Sequence, residues 1–195
     1  MRTETNTDAQ EQLRCTVEQL LFAMCEKPKL ANLRLLPSDH HPVLVFTCDR
    51  IDYGAILGKK RAMLDALKLL VSRLATAKGF QECRFVLDDE NCSGERCSRT
   101  YVAPTADWDS AYLEQVATLF CSELFGLVQV HTERVSSRSA RVTVTVTGID
   151  GRPQPAAQDE SSWELARERL ERALEQVFNC VGALSGKKIL CELVL

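Results

Sequence analysis

Asp52-Tyr53-Gly54-Ala55-Ile56-Leu57-Gly58-Lys59-Lys60-Arg61-Ala62-Met63-Leu64-Asp65-Ala66-Leu67-Lys68-Leu69-Leu70 carries more information than any other stretch of this 195-residue chain. A short apolar turn runs into Gly58, three cations follow at once, and a strongly amphipathic helix follows them. Positive side chains and unpaired backbone N–H groups then meet at a helix N-terminus, where an anion is favoured.

The stretch resembles the KH domain of bacterial KH-domain proteins of the KhpA and Jag (KhpB) type. The core of those domains reads Gly-x-x-Ile-Gly-Lys-x-Gly ahead of a helix containing Leu-Asp-Ala-Leu. Here Gly54, the apolar pair Ile56 and Leu57, Gly58, Lys59 and then Leu64-Asp65-Ala66-Leu67 carry the likeness. The resemblance implies a loop that clamps the sugar–phosphate backbone of about four single-stranded nucleotides. Gly58, Lys59, Lys60 and Arg61 would supply the grip on single-stranded RNA. A groove beside them, lined by Ile56, Leu57 and Leu64, would take the unstacked bases. The sequence departs from the family at Arg61, where the family has a second glycine. Glycine allows φ > 0 and close approach of backbone to phosphate, whereas arginine adds a cation able to hold a phosphate bidentately. The sequence leaves both effects open.

Net charge is −3, and its distribution matters more than its sum. Residues 1–90 hold thirteen basic and thirteen acidic side chains; residues 91–195 hold eleven and fourteen. Within residues 50–84, Arg50, Lys59, Lys60, Arg61, Lys68, Arg73, Lys78 and Arg84 face only Asp52, Asp65 and Glu82, a local excess of +5. A basic patch on a neutral domain suits salt-sensitive binding of a short backbone stretch.

Hydrophobic periodicity gives much the same order of elements twice. A helix over residues 10–26, strands at 32–36 and 43–48, a helical turn at 54–57, a helix at 62–77 and a strand at 82–87 make α-β-β-α-α-β. That is the element order of the bacterial, type II KH fold. A helix at 110–125, strands at 127–135 and 140–149, a helix at 162–181 and a strand at 188–195 repeat the plan. Asp49 to Asp150 is an offset of 101, and each aspartate lies thirteen residues before its helix, at Ala62 and Trp163. The expectation is an α+β protein of two KH-like units in tandem, each a three-stranded sheet with helices on one face. Residues 1–90 form the first, 91–104 a polar linker, and 105–195 a degenerate second unit. The same offset sets Asp159-Glu160-Ser161-Ser162 opposite Gly58-Lys59-Lys60-Arg61, and carboxylates there would repel a phosphate. Ser161-Ser162-Trp163-Glu164 reads as a capping box instead.

Other chemistry is thin. There is no Gly-x-Ser-x-Gly, His-Glu-x-x-His or phosphate loop, and three histidines show no metal-ligand spacing, so neither catalysis, a metal nor a cofactor is expected. The Arg-x-x-x-His signature of the further domain in longer Jag-like proteins is also missing. Of nine cysteines, seven (Cys15, Cys25, Cys48, Cys83, Cys121, Cys180, Cys191) fall among apolar neighbours and read as small buried hydrophobes, while Cys92 and Cys97 flank a linker turn. No run of apolar residues is long enough to span a membrane and the first ten residues are polar, which points to the cytoplasm. Single-stranded RNA is the expected partner, with a homo- or heterodimer with another KH protein as a further possibility. The alternative reading is a protein-interaction or dimerisation module built from degenerate KH folds that bind no nucleic acid.

Overall fold

Leu13, Val17, Leu20 and Leu21 recur at helical spacing and are all buried in the computed structural model, fixing the inward stripe of the first helix, α1 (Thr3–Ala23), with Met24, also buried, just past its end. The structure describes residues 3–36, 41–89, 110–147 and 160–194; for residues 3–6 and 160–163 it describes the backbone alone. After α1 a short 3-10 turn leads to β1 (Asn32–Leu36) and β2 (Val43–Thr47). Then come α2 (Arg50–Leu57), a 3-10 turn over Lys59–Arg61, α3 (Ala62–Ala77) and β3 (Arg84–Leu87). The remaining elements are α4 (Ser110–Phe125), β4 (Val128–Ser136), β5 (Ser139–Val146), α5 (Glu160–Ala183) and β6 (Lys188–Val194). The chain divides into two compact units, Met1–Tyr101 and Val102–Leu195. The linker expected at 91–104, with Cys92 and Cys97, falls outside the described residues.

The fold is α+β, with one small mixed sheet in each unit. In the first, β2 is central, antiparallel to β1 and parallel to β3. Leu33 lies opposite Phe46, and Leu44 beside Phe85; all four are buried, so period-two alternation turns one face of the sheet inward. Leu67, Leu70, Val71 and Leu74 of α3 are also buried and complete this core with α1. Burying one such side chain stabilises the fold by about 1.5–3 kcal/mol, so these stripes decide which face of each element turns inward. The second sheet repeats the arrangement: β5 is central, antiparallel to β4 and parallel to β6. Its core comes from Val142 and Val144, Ile189 and Leu193, Phe120 of α4, and Leu174, Val177 and Phe178 of α5.

Two element boundaries differ from the sequence expectation in informative ways. Helix α1 stops at Ala23 and not at residue 26. The backbone N–H groups of Glu26 and Lys27 instead donate to the Asp52 carboxylate, at 2.8 and 3.0 Å, and Pro28 disfavours helical backbone at Lys27. Helix α2 starts at Arg50, four residues before the expected turn, because Asp49 caps it: its carboxylate accepts the Ile51 N–H at 2.9 Å.

The buried thiols are structural. Burial pushes Cys83 up to about 11, with Glu82 adding to the effect. Burial also pushes Cys191 up to about 12, with Glu171, Glu175 and Glu192 assisting. Thiols held protonated in this way are poor nucleophiles at neutral pH. Cys15 is the one half-exposed cysteine among the described residues. No helix among the described residues is long and apolar enough to cross a membrane.

Candidate functional site

Gly58 ends α2 at φ 70°, ψ 170°, and its N–H donates to the Gly54 carbonyl at 3.0 Å. No other residue fits. A Cβ at Gly58 would stand 2.6 Å from Met63 Cβ and 2.8 Å from Met63 N, and φ lies where side chains are strained. The chain thus passes from α2 onto the first turn of α3 at a distance only glycine permits.

The next residues turn back sharply. Lys60 (φ 54°) and Arg61 (φ 66°) both adopt the left-handed conformation and are the only non-glycine residues among those described to have positive φ. A left-handed residue with a Cβ costs about 1–2 kcal/mol, so the packing of α2 against α3 imposes the turn on residues that resist it. Arg61 therefore keeps the backbone geometry that a glycine would adopt without strain, and adds a guanidinium. The Arg61 N–H closes the turn onto the Gly58 carbonyl at 3.2 Å. The Ala62 N–H likewise donates to the Lys59 carbonyl, so the attraction of this turn for an anion rests on its side chains and on the start of α3.

Lys59, Lys60 and Arg61 are exposed, and among the described residues none pairs with their side chains. Three other cations of the first unit are engaged with carboxylates. Arg50 is bound to Asp89 and lies 5.9 Å from the Tyr53 ring centroid. Lys27 reaches Asp49 at 3.3 Å, and Arg34 reaches Asp88 at 3.7 Å. The +5 excess read from residues 50–84 is thus partly neutralised by Asp89, from outside that span. Asp52 is withdrawn into the interior at 0 % exposure, which removes an acid from the surface. Lys59, Lys60 and Arg61 put three cations on consecutive residues at the start of a sixteen-residue helix, with Lys68, Arg73 and Arg84 exposed further along the chain. Such a helix start attracts anions through its dipole as well as through its side chains.

The residues expected to line a groove divide. Ile56 (0 % exposed) and Leu64 (4 %) belong to the core and hold α2 and α3 together beneath the turn. They offer no surface to a base in this conformation. Leu57 is half-buried beside Gly58, and Gly54 is exposed one helical turn before it. The structure therefore brings together Gly54, Leu57, Gly58, Lys59, Lys60 and Arg61 as a surface, with Ile56 and Leu64 as its support.

Sequence reasoning missed Asp49 and Asp52. Both are buried, at 3 % and 0 % exposure. Asp49 caps α2 and holds Lys27, while Asp52 binds the two N–H groups that follow α1. A signal was present: Asp49-Arg50-Ile51-Asp52 has an aspartate at the cap and a second acid three residues on, the pattern of a helix start.

The second unit handles the corresponding positions differently. At the 101-residue offset, Lys59, Lys60 and Arg61 align with Glu160, Ser161 and Ser162, which form the first turn of α5. No left-handed turn interrupts the backbone there. Asp159 and the preceding segment 148–158 lie outside the described residues.

No protein-family model matches the chain, and no curated protein sequence matches it.

Proposed function

We propose that this protein binds single-stranded RNA through the turn at residues 58–61, with the first unit a type II KH domain of the bacterial kind and the second a KH-like unit that has lost the loop. The observation that carries the reading is the turn itself: three exposed cations, unpaired among the described residues, the last two of them on left-handed backbone, at the N-terminus of α3. The element order α-β-β-α-α-β of the first unit supports it, because the resemblance at residues 52–70 implies that order. Lys59 and Lys60 meet phosphates as point charges, Arg61 holds a phosphate by its planar fork, and Gly58 lets the backbone turn under them. The role is binding and not catalysis, and it needs no cofactor.

Binding of a labelled single-stranded RNA of about eight nucleotides, measured at low and physiological salt, tests this for the parent and the Lys59→Asp/Lys60→Asp double variant. Each phosphate contact on a single strand contributes roughly 0.7 to the salt slope, so losing two costs roughly 25-fold at about 0.1 M salt. Repulsion by the new carboxylates takes the loss beyond about a hundredfold. The fold should survive, since acids near a helix N-terminus are favourable by about 0.3–1 kcal/mol and aspartate tolerates the left-handed region better than lysine. Parent-like affinity and salt slope in a folded double variant would reject the loop as the grip and favour the protein-interaction reading.

A further inference from the structure

Residues 91–195 hold more acids than bases, yet the charges of the second unit are segregated along the chain. Residues 134–147 and 176–191 contain no aspartate or glutamate and five cations: Arg134, Arg138, Arg141, Lys187 and Lys188. The fold gathers these at one end of the second sheet. Arg138 stands in the tight turn between β4 and β5, and its carbonyl accepts the Lys188 N–H at 2.9 Å. Ser139 of β5 is the strand neighbour of Lys188, so the hairpin tip and the start of β6 lie side by side.

Short hydrogen bonds brace the tip. Lys187 is buried, and its ammonium donates to the Ser137 carbonyl at 2.6 Å. The Ser136 and Ser139 hydroxyls share a hydrogen bond of 2.7 Å, and Ser136 Oγ accepts the Arg138 N–H at 3.1 Å. Arg134, Arg138 and Lys188 are exposed, and among the described residues no carboxylate pairs with them. Arg134 makes one weak contact, from Nε to the Ser136 carbonyl at 3.4 Å. The flanking acids do not reach them: Glu133 is taken up by Arg141 at 2.9 Å, and Glu192 lies four residues along β6 from Lys188, about 13 Å at the rise of a strand.

A protein partner would need an apolar centre, since interface cores are depleted of charge, and Val135 is the one large apolar side chain exposed on this hairpin among the described residues. Three unpaired cations among serine hydroxyls suit a phosphodiester backbone instead. We infer that this end of the second sheet is a second phosphate contact for RNA, separate from the turn at residues 58–61 and blind to base sequence. The inference takes its ligand from the RNA reading of that turn and its site from the second unit alone.

The test uses the full chain with Arg138→Gln/Lys188→Gln, labelled single-stranded RNAs of about eight and about thirty nucleotides, and circular dichroism. Both side chains are exposed and make no hydrogen bond among the described residues, so the variant should fold as the parent does. On the long RNA it should bind about 25-fold more weakly at about 0.1 M salt, with a salt slope lower by roughly 1.4, because two single-strand phosphate contacts are lost. On the short RNA, which the turn occupies, its affinity should stay that of the parent. Parent-like affinity and slope on the long RNA overturn the inference. So does an equal loss on both RNAs, which would make the tip part of the same site as the turn. The Lys59→Asp/Lys60→Asp variant run alongside separates the failures. If it loses the short RNA while the tip variant matches the parent on the long one, only the tip assignment falls. If it keeps the short RNA while the tip variant is weakened on the long one, the reading of the turn falls and the tip stands; if the parent binds neither RNA, both fall.

Discussion

The two units share a sheet order, the same strand senses and the same kind of helix stripe, yet they part where α3 begins in the first and α5 in the second. In the first, α2 stops at Gly58, three cations turn through left-handed backbone, and α3 starts. In the second, the aligned Glu160, Ser161 and Ser162 are already turning as α-helix. The core needs only the apolar stripes that both units keep. The turn needs a glycine at one position and a packing arrangement able to force two larger residues into unfavourable backbone. Fold and site are therefore separable here, and changes at the site can leave the sheet and helices intact.

Four measurements press on that separation, beginning with the largest effect. The Lys59→Asp/Lys60→Asp variant should lose RNA affinity by more than about a hundredfold while its circular dichroism stays that of the parent. Next, Gly58→Ala should destabilise the first unit by roughly 3 kcal/mol, from the left-handed φ together with the clash against Met63, and chemical denaturation reads this directly. A neutral outcome would mean that the close approach of α2 and α3 is not what shapes the turn. Asp52→Asn should cost about 1–3 kcal/mol, because a buried amide cannot accept the Glu26 and Lys27 N–H groups as a carboxylate does. The same denaturation curves should show that loss confined to the first unit.

The smallest effect is the most discriminating. Arg61→Gly should raise stability by about 1 kcal/mol, since glycine adopts φ near 66° without strain. It should also weaken RNA binding and lower the salt slope by roughly 0.7, as one phosphate contact is lost. Stronger binding in this variant would show instead that the guanidinium obstructs the backbone, and would return the site to the family's two-glycine form.

Much of the architecture was legible in the chain. The stripe Leu13, Val17, Leu20, Leu21, Met24 marked α1, the run from Ala62 marked α3 with its bounds, and α4 was read at Ser110–Phe125. Strand β1 was read at its observed bounds and the start of β2 was correct, because period-two patterns on a half-buried sheet are local. The cations of the turn and the glycine before them were also visible. The beginning of α2 was not found, because its cap is a single aspartate, Asp49, that was read as a marker of the repeat and not as a cap.

What the sequence determined by itself is therefore periodic or local: which faces are apolar, where cations cluster, and where a glycine must follow a helix. Tertiary structure alone decided the rest. It withdrew Ile56 and Leu64 from the surface into the core, paired Arg50 with Asp89 and, among the described residues, left Lys59, Lys60 and Arg61 unpaired. It also drove Lys60 and Arg61 to positive φ, against their own preference. The physical reason is the same throughout. Burial, pairing and strain depend on neighbours distant in sequence: Asp89 lies 39 residues beyond Arg50, and Asp52 lies 25 and 26 residues beyond the N–H groups it binds. No window along the chain contains those partners, and only the folded packing of α1, α2 and α3 brings them together.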